Sequence, residues 1–141
     1  AEIEYGLGKC DILKISDNEV EFLFGTTDYD KGAALLKEKY NIPLILITLG
    51  KDGSRAYYKD MKVEAAPFLQ EKTIETTGAG DTFCGYFLAA ACAHKSPQAA
   101  LCEASAAAAL AVSRAGAAPS IPQADEVRTF LKKRMFLQQI E

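Results

Sequence analysis

Residues 75–83 read ETTGAGDTF, a run that brings together the residue types needed for moving a phosphoryl group. Gly78, Ala79 and Gly80 make a turn with little side-chain bulk, so consecutive backbone N–H groups can converge on an anion. A helix beginning there adds the positive end of its dipole. Asp81 then falls in the first helical turn, beside whatever the turn binds. This pairing suits transfer of a phosphoryl group to an alcohol: the N–H groups stabilise charge on the moving group, and the aspartate accepts the hydroxyl proton. A plain helix start, capped by Thr77 or Gly78 with Asp81 favouring the dipole, accounts for the same residues.

Two further blocks have the composition of a ligand site. In ITLGKDGSRAYY, Thr48, Gly50 and Gly53 put a hydroxyl and two flexible backbone positions at the C-terminal end of an apolar run, where ligands bind in open α/β sheets. An ordinary hairpin turn could use the same Gly-x-x-Gly spacing. In ILKISDNEVEFLFG, Ser16 and Glu19 fit a capping box, while Asn18 and Glu21 are i, i+3 neighbours on one helix face, which solvent exposure alone would also explain.

The run TTGAGDTF, eight consecutive residues, resembles the C-terminal signature of the ribokinase-like (pfkB-type) carbohydrate kinases. The resemblance implies that Asp81 is the catalytic base and that Gly78, Ala79 and Gly80 form the anion hole. It implies that Thr48, Gly50 and Gly53 contact nucleotide phosphates, and that Asn18 and Glu21 match the family's N-x-x-E motif, which positions hydrated Mg²⁺. Magnesium keeps several waters, so one carboxylate and one amide suffice. The loop SRAGAAPS resembles the family segment whose carbonyls hold a monovalent cation such as K⁺, implying Ala111, Arg114, Gly116 and Ser120 alongside Glu75 and Thr77. The family often has aspartate at the place of Glu75. Ser105 stands where ribokinases place an asparagine near the adenine, which makes it a nucleotide-binding candidate. Lys14, ahead of the N-x-x-E helix, gives the chain the texture of a fructokinase; ribose, 2-keto-3-deoxygluconate and nucleosides are the other substrates the resemblance allows.

These residues need elements to hold them. Residues 12–15 and 44–49 read as buried strands, with helical spacing at 18–24 and 29–39 between them. Strand, helix, strand in that order suggests a parallel α/β layer. Residues 54–58 and 61–68 read as two more exposed strands around Lys59 and Asp60. Helices are expected over 81–93, 97–113 and 124–136, and ETTGAGDTF is expected to run from a strand into the first of these. Phe83, Phe87 and Ala90 recur as a core stripe, and the run 28–39 reads as a solvated helix face. His94, the only histidine, reads as a structural residue at a helix end. The expected fold class is α/β, a ribokinase-like three-layer fold with a mainly parallel sheet, of which residues 1–141 form the C-terminal, nucleotide-binding portion. The N-terminal sugar-binding half and lid are expected to lie outside it.

Composition sets outer limits. With 16 basic and 19 acidic residues the formal charge is −3, which argues against the basic face that nucleic-acid binding requires. At 49% hydrophobic and 25% charged the chain has the make-up of a folded domain, and no apolar run approaches the ~18 residues of a membrane span. Cys10, Cys84, Cys92 and Cys102 show no C-x-x-C spacing and are expected to be buried, reduced thiols in a cytoplasmic protein. GLGKCD, residues 6–11, lacks the third glycine of a dinucleotide fingerprint, and no G-x-x-x-x-G-K-[ST] run exists. The expected function is ATP-dependent phosphorylation of a sugar hydroxyl with Mg²⁺, by a homo-oligomer that engages neither nucleic acid nor membrane. The alternative is a non-catalytic nucleotide-binding or interaction module derived from a kinase.

Overall fold

The isoleucine- and leucine-rich segments Ile12–Ser16 and Leu44–Thr48 form strands β1 and β2, paired in parallel with Ile12 opposite Leu44. Parallel neighbours need a crossover. The chain supplies it through helices α2 (Asp17–Phe24) and α3 (Tyr29–Tyr40), after a short opening helix α1 (Glu2–Leu7). The computed structural model describes residues 1–68, 70 and 72–138.

β3 (Ser54–Tyr58) and β4 (Met61–Ala65) complete a four-stranded sheet of order β1-β2-β3-β4. The α/β class holds, but the sheet is mixed, not mainly parallel: β2–β3 and β3–β4 are both antiparallel. The cause is connection length. A three-residue 3₁₀ turn (Gly50–Asp52) and the pair Lys59 and Asp60 are too short for anything but antiparallel neighbours. β4 stops at Ala65, short of the expected residue 68.

The chain divides into two compact units, Ala1–Ala66 and the residues from Pro67 onward. In the first, Leu7, Ile15, Val20, Ala33, Leu36, Ile42, Ile45 and Ile47 make up most of one buried cluster. α2 and α3 meet closely because position 32 is glycine: a Cβ there would lie 2.5 Å from Val20 Cγ1. The expected capping box starts α2. Ser16 Oγ accepts from Glu19 N–H at 3.3 Å, and Ser16 N–H donates to Glu19 Oε2 at 2.7 Å. Such a cap is worth about 1 kcal/mol.

The run 28–39 is not simply a solvated face. Asp30 accepts from Tyr57 Oη at 2.6 Å and from Lys62 Nζ at 3.0 Å, and pairs with Arg55 at 3.3 Å, so the start of α3 is tied to β3 and β4. The Tyr57 and then the Lys62 bonds hold the Asp30 carboxyl below its usual range. Burial, then the bond to Asp30, push the Tyr57 hydroxyl well above its ordinary value.

The second unit carries α4 (Ala79–Cys92), α5 (Pro97–Val112) and α6 (Ala124–Gln138). Ala100, Ala104, Ala106, Ala107 and Ala111 are buried along α5, and their small side chains let it lie against both α4 and α6. Ala106, Ala107 and Val127 form a cluster on which Phe68, Tyr86 and Phe130 pack. Phe83, Phe87 and Ala90 are buried as the core stripe expected of α4. All four cysteines are free, but none is fully buried, and Cys92 is exposed on the outer side of α4. No helix among the described residues is long and apolar enough to cross a membrane.

Candidate active site

In the first unit, the two ligand blocks leave the sheet side by side. Ser16, the last residue of β1, is opposite Thr48, the last of β2, and Thr48 is opposite Ser54, the first of β3. Parallel pairing therefore sends the Asn18–Glu21 helix and the Gly50–Gly53 turn out from neighbouring strand ends, the edge at which open α/β sheets bind ligands. The turn closes through Leu49 N–H to Gly53 O at 2.8 Å and Asp52 N–H to Leu49 O at 2.9 Å. Gly50 (φ 53°) and Gly53 (φ 93°, ψ −141°) take backbone conformations that side chains disfavour, which is why both positions are glycine.

Asn18 and Glu21 are exposed on α2. Glu21 Oε1 accepts a hydrogen bond from Tyr29 Oη at 3.2 Å, a partner across the α2–α3 turn that no motif announces. Among the described residues no group of three or more His, Cys, Asp or Glu could enclose a metal ion. Asn18 and Glu21, one exposed amide and one exposed carboxylate, have the donor chemistry that a hydrated Mg²⁺ keeping its own waters can use.

In the second unit the residues expected to form the anion hole open α4. Gly78 is the N-cap, at φ 77° and ψ −1°, and no side chain caps the helix. Thr82 N–H donates to Gly78 O at 2.9 Å as the first intrahelical bond, and Ala79 N–H turns back to Thr76 O at 3.2 Å. Helix geometry leaves the N–H groups of Gly80 and Asp81 facing outward at the positive end of a 14-residue helix. That arrangement fits an anion. Asp81 is exposed in this turn.

The expected strand ahead of Gly78 is absent: residues 72–76 run as irregular chain, held by Ile74 N–H and Glu75 N–H donating to Val112 O at 2.8 and 3.3 Å. Fastened to the end of α5, the segment pairs with no strand among the described residues. It still meets the SRAGAAPS loop. Glu75 Oε2 accepts from Gly116 N–H at 2.8 Å, and a Cβ on Gly78 would come within 3.3 Å of Ala117 Cα. A bond from Thr77, then that from Gly116, hold the Glu75 carboxyl below its usual range, so it carries its charge beside this loop. With the carboxylate and the loop brought together, the donor chemistry fits a monovalent cation.

Other residues of that set are engaged locally. Ala111 O accepts from Arg114 N–H at 3.0 Å, the Arg114 guanidinium pairs with Glu126 at 2.7 Å, and buried Ser120 donates to Ala117 O at 2.6 Å. The Arg114 side chain is thus an anchor between the loop and α6, leaving only its carbonyl for a cation. Ser105 is half-buried midway along α5, away from the turn that opens α4 in sequence and in a different helix. His94 adopts a left-handed conformation (φ 56°) just after α4, as a helix-end residue.

The Gly78 geometry yields a stability test. Gly78→Ala puts a side chain at left-handed φ and presses it on Ala117, so unfolding free energy should fall by about 1–2 kcal/mol. An unchanged urea midpoint would contradict this local geometry.

Residues 1–124 match the family model described as pfkB family carbohydrate kinase. Fructokinase-2 of Solanum lycopersicum is 36% identical over 130 residues, which cover 87% of this chain and 39% of that protein. The solved ribokinase of Thermotoga maritima superposes with a TM-score of 0.80 at 34% identity, covering 92% of this chain and 44% of that one. Arabidopsis thaliana ribokinase, solved with ribose and ATP, gives a TM-score of 0.83 at 30% identity, covering 92% and 43%. The chain thus spans about two fifths of the length of most of the curated relatives it matches.

Proposed function

The chain belongs to the pfkB family of carbohydrate kinases, and from that premise we propose that it is the C-terminal, phosphate-handling portion of an enzyme that phosphorylates a sugar hydroxyl with ATP. The observation that carries the proposal is the uncapped start of α4, where left-handed Gly78 leaves open N–H groups next to exposed Asp81. The N–H groups of Gly80 and Asp81 bind charge that develops on the transferred phosphoryl group, and Asp81 accepts the proton of the attacking hydroxyl.

In the first unit, Thr48 and the close-approach glycines Gly50 and Gly53 receive nucleotide phosphates. Asn18 and Glu21 orient the water shell of Mg²⁺, an ion that neutralises phosphate charge when bound. Glu75, Thr77 and the 111–120 carbonyls hold a monovalent cation, which fixes the loop beneath Gly78. Ser105 serves the adenine end of the nucleotide. Fructose is the preferred acceptor, supported by the fructokinase relatives; ribose, 2-keto-3-deoxygluconate and nucleosides are the alternatives.

The test is ADP release by the polypeptide that joins this chain to an N-terminal sugar-binding half, measured against a panel of sugars. Turnover is expected with at least one ketose or pentose, and failure with every sugar and with nucleosides added to the panel would favour a non-catalytic module. Within the same assay, Gly53→Val should raise the KM for ATP severalfold, because a branched side chain at φ 93° blocks backbone approach to phosphate. If only the sugar KM moved, the Gly50–Gly53 turn would belong to the other substrate.

A further inference from the structure

Glu21 is an exposed side chain on a helix surface, and an unrestrained glutamate there samples several rotamers. Its carboxylate is nevertheless held: Oε1 accepts from Tyr29 Oη at 3.2 Å, leaving Oε2 for other partners. Tyr29 is well placed to impose an orientation. Its half-buried ring packs on the core of the first unit. It is the first residue of α3, whose start is fixed on both sides. Asp28 caps the helix by accepting from Lys31 N–H at 3.1 Å, and its own N–H donates to Thr26 Oγ1 at 3.1 Å. Asp30 binds Tyr57 at 2.6 Å and through it β3, which begins at Ser54 directly after the Gly50–Gly53 turn. The helix start that carries Tyr29 is thus tied, through Asp30, to the strand that follows the Gly50–Gly53 turn.

We propose that Tyr29 is a positioning residue for metal-assisted nucleotide binding: its hydroxyl fixes the Glu21 carboxylate so that the free oxygen faces the water shell of Mg²⁺. The inference rests on the reading of Asn18 and Glu21 given above. Outer groups that orient a metal-directed carboxylate commonly set affinity, and for an exposed, water-mediated contact a loss of about 3- to 10-fold is expected.

The experiment is a calorimetric titration of Mg²⁺ into the full-length enzyme holding a non-hydrolysable ATP analogue, for the parent, Tyr29→Phe, Glu21→Ala and the double variant. Tyr29→Phe keeps the packed ring and removes one oxygen. It should weaken Mg²⁺ by about 3- to 10-fold and add nothing in the Glu21→Ala background. Binding of the analogue without Mg²⁺ should change by less than about twofold, as expected of a group that acts only through the metal-directed carboxylate. Unchanged Mg²⁺ affinity in Tyr29→Phe, an equal loss in the Glu21→Ala background, or an equal loss without Mg²⁺ would overturn the role of Tyr29 while leaving the Glu21 reading intact. If Glu21→Ala itself leaves Mg²⁺ affinity unchanged, the metal reading of that motif fails, and the role of Tyr29 with it.

Discussion

The 141-residue chain by itself is expected to phosphorylate no sugar, although it carries Asp81 and the uncapped glycine turn before it. Phosphoryl transfer offers the protein little covalent chemistry, so the rate rests on holding the acceptor hydroxyl in line with the phosphoryl group. Such positioning supplies about 7–11 kcal/mol. The residues that would hold a sugar are proposed to lie outside this chain, which spans about two fifths of the length of most of its curated relatives. β1 is also an outermost strand of the described sheet, with one side unpaired within it. An unpaired parallel strand presents N–H and C=O groups to any other strand, so copies of the isolated chain should associate. A coupled assay against fructose, ribose and 2-keto-3-deoxygluconate, run beside light scattering, checks both points. Steady turnover by a monomer of 15.2 kDa would contradict them together.

Asp81→Asn in the full-length enzyme should lower kcat by about 10²–10⁴, the usual effect of losing a general base. Asparagine keeps the size of the side chain and is tolerated in a first helical turn, and Asp81 is exposed and forms no part of the α4 core. The fold and the open N–H groups at positions 80 and 81 should therefore persist, and the effect should fall on proton removal. The KM for ATP should change by less than about threefold, because an interaction made only in the transition state lowers kcat and kcat/KM in parallel. Steady-state kinetics with both substrates varied gives the split. A variant retaining half the parental kcat would remove Asp81 from its role as base. A large rise in KM for ATP at constant kcat would move it instead to nucleotide binding.

What was legible in the sequence is what local rules encode. A capping box needs two side chains three residues apart, so Ser16 and Glu19 could be paired on sight, and the structure pairs them. The core stripe Phe83, Phe87 and Ala90 follows from helical period, and the β3–β4 turn at Lys59 and Asp60 from two polar residues between apolar runs. Gly78, Ala79, Gly80 and Asp81 could be set at a helix start because such a start is itself a local event. α1 has no sequence signal of this kind, because six residues containing a glycine are too few to show a period.

The tertiary structure decided everything that joins distant residues. Glu75 meets Gly116 from 41 positions away, Gly78 abuts Ala117, and Asp30 on α3 reaches Tyr57 and Lys62 on the sheet. None of these pairs shares a helix or a turn, so no spacing rule links them. The absence of a strand before Gly78 has the same origin: strand formation requires a neighbour, and residues 72–76 are tied instead to the end of α5 through Val112. Tyr29 became visible as the partner of Glu21 only once α2 and α3 were packed together, with Gly32 bare enough to let Val20 in. Periodicity records which face of an element is apolar; which two elements then touch, and which polar groups that contact brings within 3.2 Å, is fixed by packing alone.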